Sequence, residues 1–222
     1  MNPLKDMPVI LLGSGGHAKV VLDLLLETGF TVRGITTSDS AVLRASLWCG
    51  IPVLGDDEVL ASYPPETYAL ANGVGSVEIP TLRMQVYQNM KAKGYFFPPL
   101  IARSAIVKTS AVIGEGAQIH AGAVVQTDAV VGENAVVNTR AVVEHECVIG
   151  PHSHVATGAI LCGQVTLGAC VHIGAGATVR QCTTIGENVC VGAGAVVTAA
   201  IDASGIYYGV PARKNGELHE QV

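Results

Sequence analysis

The stretch AVVQTDAVVGENAVVNTRAVVEHECVI, residues 123–149, repeats with a period of six residues. In each hexad an aliphatic side chain follows a small one two positions earlier, as Val143 follows Ala141. Side chains two positions apart on a strand point to the same face, so both are expected to face inward. The aliphatic series continues without a break from Ile101 to Val197, and such a hexad is typical of a parallel β-helix.

The hexads also define which residues lie above one another. Three hexads complete one triangular coil of 18 residues, so side chains 18 positions apart stack on the same face or corner. Glycine follows the aliphatic residue where one of the corners turns, at Gly114, Gly132, Gly150, Gly168 and Gly186. We expect the β-helix to occupy residues 101–222, with the tail GIYYGVPARK leaving the repeat.

The first hundred residues follow a different pattern, in which strand-like and helix-like segments alternate. The predicted strands are PVILLG, TVRGIT, IPVLG, TYALANG and YFFP, and the predicted helices are HAKVVLDLLLETG, DDEVLASY and TLRMQVYQNMKAKG. This alternation predicts a small Rossmann-like α/β domain around a parallel sheet. We place it at residues 1–100, with Pro98 and Pro99 at the boundary.

A glycine-rich loop joins the first predicted strand to the first helix. Gly13, Gly15 and Ala18 satisfy the pattern G-x-G-x-x-[GA], and backbone N–H groups at such a helix start suit a phosphate. A dinucleotide site also needs an acidic residue at the end of the second strand, where Thr37 and Ser38 stand instead. The loop therefore indicates a mononucleotide or a nucleotide sugar rather than NAD.

Titratable residues cluster in VVEHECVIGPHSH, residues 142–154. The repeat places His145 and Glu146 on a corner, where an imidazole could act as a general base and contribute about 10²–10⁴ in rate. A neighbouring carboxylate, Glu146 or Glu144, would raise its basicity. His154 would point outward and donate a hydrogen bond to a carbonyl or oxyanion. The alternative is that these residues form a solvated corner without chemistry.

Two other kinds of chemistry remain open for the same stretch. His154 could share a zinc ion with His152 or His172, but the turn after His152 makes convergence of the ligands difficult. We therefore expect no metal and assign His152 to a solvated corner. Cys147 lies at an inward position, where burial would leave its thiol inert.

Composition excludes several classes of partner. The net charge of −5 argues against nucleic acid, since phosphate binding needs a basic face. The apolar run from Val9 to Leu26 is broken by glycines and charged residues, so we expect no membrane span. Six cysteines without a disulfide framework or secretory signal favour a cytoplasmic location.

Both halves together resemble bacterial nucleotide-sugar acetyltransferases, which acetylate UDP-4-amino sugars on the way to bacillosamine. Relatives act on perosamine and, as O-acetyltransferases, on sialic acid. The resemblance is carried by VNTRAVVEHECVIGPHSHVATGAILCG, by GSGGHAKVV and by the closing GVPAR. It implies a left-handed β-helix, acetyl-CoA as co-substrate without a metal, and a homotrimer with its sites between adjacent β-helices.

The resemblance also implies roles for individual residues. His145 is the general base and Glu146 supports it. The residues expected to meet acetyl-CoA are Asn138, His154, Gly163, Ala175 and Ala193. Those expected to meet the nucleotide sugar are Gly15, Gly16, His17, Thr37, Ser38 and Gly73. Relatives usually carry aspartate where Thr37 and Ser38 stand, and Asp39 could compensate.

The expected reaction is transfer of acetyl from acetyl-CoA to the amino group of a nucleotide-linked amino sugar, of the UDP-4-amino-4,6-dideoxy-N-acetyl-glucosamine type. Direct attack would proceed with His145 as base. Three alternatives stay open at this point: a sugar O-acetyltransferase of the sialic acid kind, a zinc enzyme like the gamma-type carbonic anhydrases, and a non-catalytic nucleotide-binding scaffold.

Overall fold

A computed structural model describes residues 7–218, and its first part is an α/β sheet of five strands. The strands are β1 (Val9–Leu12), β2 (Val32–Thr36), β3 (Leu47–Trp48), β4 (Ile51–Gly55) and β5 (Ala69–Asn72), in the order β3-β4-β2-β1-β5. All neighbours are parallel except β3 and β4. The helices are α1 (Gly16–Glu27), α2 (Ser40–Leu43), the 3₁₀ helix Asp57–Ser62 and α3 (Thr81–Ala92). The predicted Rossmann-like sheet is confirmed.

Two segments differ from expectation. DDEVLASY forms a 3₁₀ helix, which Asp56 caps by accepting a hydrogen bond from the backbone of Glu58. The predicted strand YFFP is wrong, because no strand forms there. Tyr95 and Phe97 are buried as aromatic anchors, and the prolines that follow have no N–H to donate to a ladder. Burial of these rings produced the strand-like pattern.

The second part is the left-handed β-helix, whose short strands form three faces. The face against which the first domain packs, here the docked face, contains β6 (Leu100–Ile101), β9 (Gln118–Ile119), β12 (Val136–Val137), β15 (His154–Val155), β18 (His172–Ile173), β21 (Val189–Val191), β23 (Gly205–Tyr208) and β24 (Arg213–Gly216). The second face contains β7 (Ile106–Val107), β10 (Val124–Val125), β13 (Val142–Val143), β16 (Ile160–Leu161), β19 (Thr178–Val179) and β22 (Val196–Val197). The third face contains β8 (Val112–Ile113), β11 (Val130–Val131), β14 (Val148–Ile149), β17 (Thr166–Leu167) and β20 (Thr184–Ile185).

The chain visits the faces in that order, which defines three corners. The first corner joins the docked face to the second face, the second corner joins the second to the third, and the third corner returns to the docked face. Partners in the ladders are 18 residues apart, as Val142 pairs with Ile160. The aliphatic series and the small residues before it are buried inside, together with Cys147, as predicted.

Part of the C-terminal tail does not leave the repeat as expected. Strand β23 pairs in parallel with β21 and extends the docked face, and β24 then returns antiparallel to β23. None of the helices within residues 7–218 is both long enough and apolar enough to cross a bilayer.

The glycines of the third corner are required by close approach of successive coils. A Cβ on Gly132 would lie 2.8 Å from the carbonyl oxygen of Ile149, and a Cβ on Gly150 would meet backbone atoms of Gly168. Gly158, on the first corner, has open space around it but a left-handed φ of +67°.

These positions predict two different costs for a methyl group. Gly150→Ala should lower the free energy of unfolding by about 3 kcal/mol, because backbone must move. Gly158→Ala should lower it by about 1 kcal/mol, the cost of a left-handed alanine. Urea unfolding of both variants measures the difference, and equal losses would contradict the close-approach explanation.

Candidate functional site

His145 and Glu146 lie together on the second corner, as the repeat predicted. The Nδ1–H of His145 donates to Oε2 of Glu146 at 3.0 Å, which leaves Nε2 of the ring as an acceptor. Both side chains are about half exposed, at 55% and 53%. Hydrogen bonds from His145 and Gln164 lower the pKa of Glu146, so this carboxylate is ionised beside the ring. The pair has the arrangement of a base and the group that orients it.

Gly163 lies directly beneath this imidazole, one coil further along. A Cβ at this position would lie 2.5 Å from Nε2 of His145, so any larger residue would push the ring away. The ring and the glycine line a cleft of about 430 Å³ together with Glu144, Cys162 and Gln164. Gly163, which the resemblance assigns to acetyl-CoA, therefore lies next to the proposed base.

His154 and Asn138 meet near the first corner. Nδ2 of Asn138 donates to Nε2 of His154 at 3.1 Å, because Oδ1 of Asn138 already accepts from the backbone of Thr139. The other ring nitrogen, Nδ1, therefore carries the proton and donates to Oγ of Ser76 at 2.9 Å. Burial, with His172 and Arg83 nearby, holds the pKa of His154 well below its ordinary value.

This network limits the role predicted for His154. The ring is neutral, and both of its nitrogens already have partners within the chain. Nδ2 of Asn138 has a second hydrogen that the contact with His154 does not use. Ser76 belongs to the first domain, and nothing in the sequence around it predicts its contact with His154.

The predicted acetyl-CoA residues lie on two corners of one chain. Asn138, Ala175 and Ala193 follow strands of the docked face and belong to the first corner, and both alanines are exposed. His145 and Gly163 belong to the second corner, at the vertex opposite the docked face. One copy of the chain therefore does not bring all of these residues together.

The glycine loop and the ends of β2 and β5 surround a cavity of about 470 Å³. Its lining includes the expected Gly15, Thr37, Ser38 and Gly73, together with Asp39. Gly73 approaches the first strand so closely that a Cβ would lie 2.6 Å from the carbonyl oxygen of Leu12. Gly16 is the first residue of α1 and is open to solvent. The glycine loop and the strand ends thus form one pocket.

Of the acidic residues near this pocket, the sequence pointed only to Asp39. Asp39 caps α2, since Oδ1 accepts from the backbone of Ala41 and Val42, so its carboxylate is already engaged. A neighbouring cavity of about 370 Å³ brings Asp56, Asp57 and Glu58 against Thr37 and Ser38. The ends of parallel strands meet at one edge of a sheet, so the acidic residues after β4 lie beside the end of β2. The sequence around Thr37 and Ser38 does not show this proximity.

His17 does not line the cavity; it faces the β-helix instead. Its Nε2 lies 2.9 Å from Oε1 of Gln118, and its ring lies 5.5 Å from that of His120. Burial lowers the pKa of His17 to about 4 and that of His120 to about 3, and the nearby Arg83 contributes to both. These imidazoles are therefore neutral at neutral pH.

The assignment of His152 to a solvated corner is wrong. Only 6% of His152 is exposed, its ring lies 5.6 Å from that of Tyr87 on α3, and Nδ1 accepts from Asn134. A polar corner is solvated only where nothing packs on it, and the first domain packs on the corner that holds His152. Asn134 and His152 are 18 residues apart, a spacing that could have marked them as one stacked pair.

Zinc ligation finds no support in this geometry. Within residues 7–218 no three His, Cys, Asp or Glu side chains converge as a metal site requires. His154 and His172 do stack as predicted, with ring centroids 5.0 Å apart.

Comparisons with known proteins match both parts of the chain. The family profile described as the PglD N-terminal domain matches residues 8–90, and that of the bacterial transferase hexapeptide (six repeats) matches residues 110–145 and 164–199. The acetyltransferase domain of PglB from Neisseria gonorrhoeae FA1090 is 35% identical over 95% of this chain and 100% of its own, with a TM-score of 0.85. This chain belongs to the PglD-type hexapeptide-repeat acetyltransferases.

A second relative of this acetyltransferase has been solved with two ligands bound. PerB from Caulobacter crescentus, in complex with CoA and GDP-perosamine, is 33% identical over 95% of this chain and 98% of its own, with a TM-score of 0.86. WeeI from Acinetobacter baumannii AYE shares the fold at 23% identity over 94% of this chain and 100% of its own, with a TM-score of 0.82. A search of curated proteins finds no match to the acetyltransferase.

The buried imidazoles of this acetyltransferase predict a loss of stability in acid. Unfolding restores their ordinary pKa near 6.5, so the unfolded chain binds protons that the folded protein does not as pH falls from about 6.5 to about 4. Stability should therefore decrease across this window. His120→Leu removes one of these groups and should flatten the decrease, measured as Tm between about pH 7 and pH 4.5. A decrease as steep as in the wild type would contradict this explanation.

Proposed function

We propose that this acetyltransferase moves the acetyl group of acetyl-CoA to the amino group of a nucleotide-linked amino sugar, of the UDP-4-amino-4,6-dideoxy-N-acetyl-glucosamine type. The observation that carries the proposal is the His145–Glu146 pair, whose free Nε2 lies over Gly163 in an open cleft. The relatives solved with acetyl-CoA, or with CoA and GDP-perosamine, support the choice of substrates.

The reaction follows from the direction of the hydrogen bonds. Because Nδ1–H of His145 is held by Glu146, Nε2 is free to remove a proton as the neutral sugar amine attacks the thioester carbonyl. Asn138 Nδ2 donates to the oxyanion. When the tetrahedral intermediate collapses, the C–S bond breaks and His145 returns the proton to the thiolate of CoA. No covalent bond to the enzyme is needed.

We place this site between two copies of the chain. His145 and Gly163 on the second corner of one copy would face Asn138, Ala175 and Ala193 on the first corner of the next. The outward side chains that flank the second corner are exposed and apolar, as expected for a covered surface: Ile106, Val112, Val130, Val148 and Ile160. A contact between different corners is heterologous and closes into a ring when the rotation between copies allows it, and a homotrimer with three such sites is the assembly we propose.

We assign binding of the nucleotide sugar to the first domain, residues 1–100, and binding of acetyl-CoA to residues 101–222. Of these ranges, residues 1–6 and 219–222 lie outside the part of the chain that the structure describes. Gly13 and Gly15 would hold the diphosphate at the start of α1, with the sugar near His17. Asp57, whose Oδ1 accepts from Thr36, stands beside Thr37 and Ser38. We propose that this carboxylate takes the place of the aspartates that relatives carry at 37 and 38.

The central test is a panel of UDP-, GDP- and CMP-linked amino sugars and hydroxyl sugars, scored by release of the CoA thiol. Wild-type protein should acetylate at least one amino sugar. His145→Ala should lower kcat by about 10²–10⁴ with little change in KM, because the base acts only as the amine attacks. Turnover by the variant at the wild-type rate would contradict the assignment, and acetylation of hydroxyl sugars alone would indicate an O-acetyltransferase.

Mixed assemblies test whether the site is shared. His145→Ala and Asn138→Ala should each be nearly inactive alone. If the two residues come from different copies, refolding a mixture restores some sites in which both are intact, so activity should rise to about a quarter of the wild-type level. A mixture no more active than its components would contradict the shared site. Light scattering on the same samples measures the assembly size.

A further inference from the structure

A column of three polar side chains stands on the second corner beside the proposed base. Glu146, Gln164 and Cys182 are 18 residues apart, so they stack in successive coils. Nε2 of Gln164 donates to Oε2 of Glu146 at 3.1 Å, and Sγ of Cys182 donates to Oε1 of Gln164 at 3.2 Å. The three residues form one directed chain of hydrogen bonds that ends at the partner of His145.

The direction of the chain follows from what each group can donate. The carboxylate of Glu146 only accepts, so the amide of Gln164 must turn its NH₂ group toward it and its oxygen away. The thiol of Cys182 meets that oxygen and holds the amide in this orientation. The column is also fixed by the backbone, because the N–H of Cys182 donates to the carbonyl of Gly163 and the N–H of Gln164 to the carbonyl of His145.

Two donors meet at the same oxygen of Glu146. His145 Nδ1 reaches Oε2 at 3.0 Å and Gln164 Nε2 reaches it at 3.1 Å. Glu146 is exposed, so without a second contact its side chain would be free to rotate away from the ring. Gln164 supplies that contact from the next coil along the chain.

We propose that Gln164 is a positioning residue for acetyl transfer, which holds Oε2 of Glu146 toward His145 and so keeps Nε2 of the ring directed into the cleft. This inference rests on the proposed function of His145. Gln164 acts through Glu146 and does not touch the reacting atoms. Glutamine at position 164 provides a hydrogen-bond donor to the carboxylate of Glu146. Methionine has the same length but no donor, and glutamate would add a second negative charge.

The effect of Gln164 on the pKa of Glu146 can be measured separately from the reaction rate. Its N–H group stabilises the ionised form of Glu146 and contributes, after His145, to the lowered pKa of that carboxyl. Removing the donor raises the pKa of Glu146 and strengthens its attraction for the proton on His145. The titration of the Glu146 carboxyl therefore moves toward higher pH.

The experiment compares Gln164→Met and Gln164→Glu with wild type and with Gln126→Met. Gln126 is a glutamine on the same corner two coils earlier in the chain and serves as the matched control. Both position-164 variants should lower kcat about tenfold with KM for both substrates unchanged. The acidic limb of the rate profile should move to higher pH, further in Gln164→Glu because like charges disfavour ionisation. Gln126→Met should match wild type in rate and profile.

A carbon-13 NMR titration of the Glu146 carboxyl, in wild type and Gln164→Met, makes the test independent of turnover. An upward shift of its midpoint in the variant supports the positioning contact even if no amino sugar is acetylated, in which case only the proposed function fails. An active enzyme whose pH profile and Glu146 titration do not change in the variants overturns the inference. A fall in Tm as the sole effect also overturns it, because it would indicate a purely structural role.

Discussion

Backbone hydrogen bonds between successive coils are the constraint on which the rest of the structure depends. Each coil donates to the carbonyl groups of the next at a fixed spacing, as the N–H of Asn138 bonds the carbonyl of Val155 at 2.8 Å. Because every coil must lie flat on its neighbour, residues 18 apart are forced into columns. Corners must turn sharply, and many do so with a residue of left-handed φ, such as Glu146 at +57°. A polar residue at such a corner stays at the surface, where it can meet a ligand, unless the first domain packs on it as it does on His152.

The columns convert a linear repeat into specific pairs of side chains. On the second corner the small size of Gly163 provides room for the ring of His145, and the amide of Gln164 reaches the carboxylate of Glu146. On the docked face the same spacing places His154 above His172. The chemistry of each pair depends on what covers it. The second corner is open to solvent, whereas the first domain removes His154 from water and keeps it neutral.

The first domain therefore has two effects on the site. Its loops form the cavity lined by Gly15 and Ser38, and its packing holds neutral imidazoles and the buried Arg83 against the β-helix. Arg83 donates to the carbonyl groups of Asn72 and Val74 and, through Nε, to that of Asn134 in the β-helix, and so holds the loop after β5 on that face. A strand end that lines this cavity is thus tied directly to the β-helix.

By itself the sequence determined the β-helix, the alternating α/β domain, the glycine loop and the corner position of His145 and Glu146. These features depend on local period and spacing, which a linear sequence records. The tertiary structure decided that His152 is buried, that His154 has both nitrogens engaged, and that Asp57, which accepts from Thr36, lies beside Thr37 and Ser38. It also decided that His145 and Asn138 lie on different corners of one chain. The physical reason is that burial and hydrogen-bond partners come from elements far apart in the sequence, and the repeat period carries no information about what packs on its outer faces.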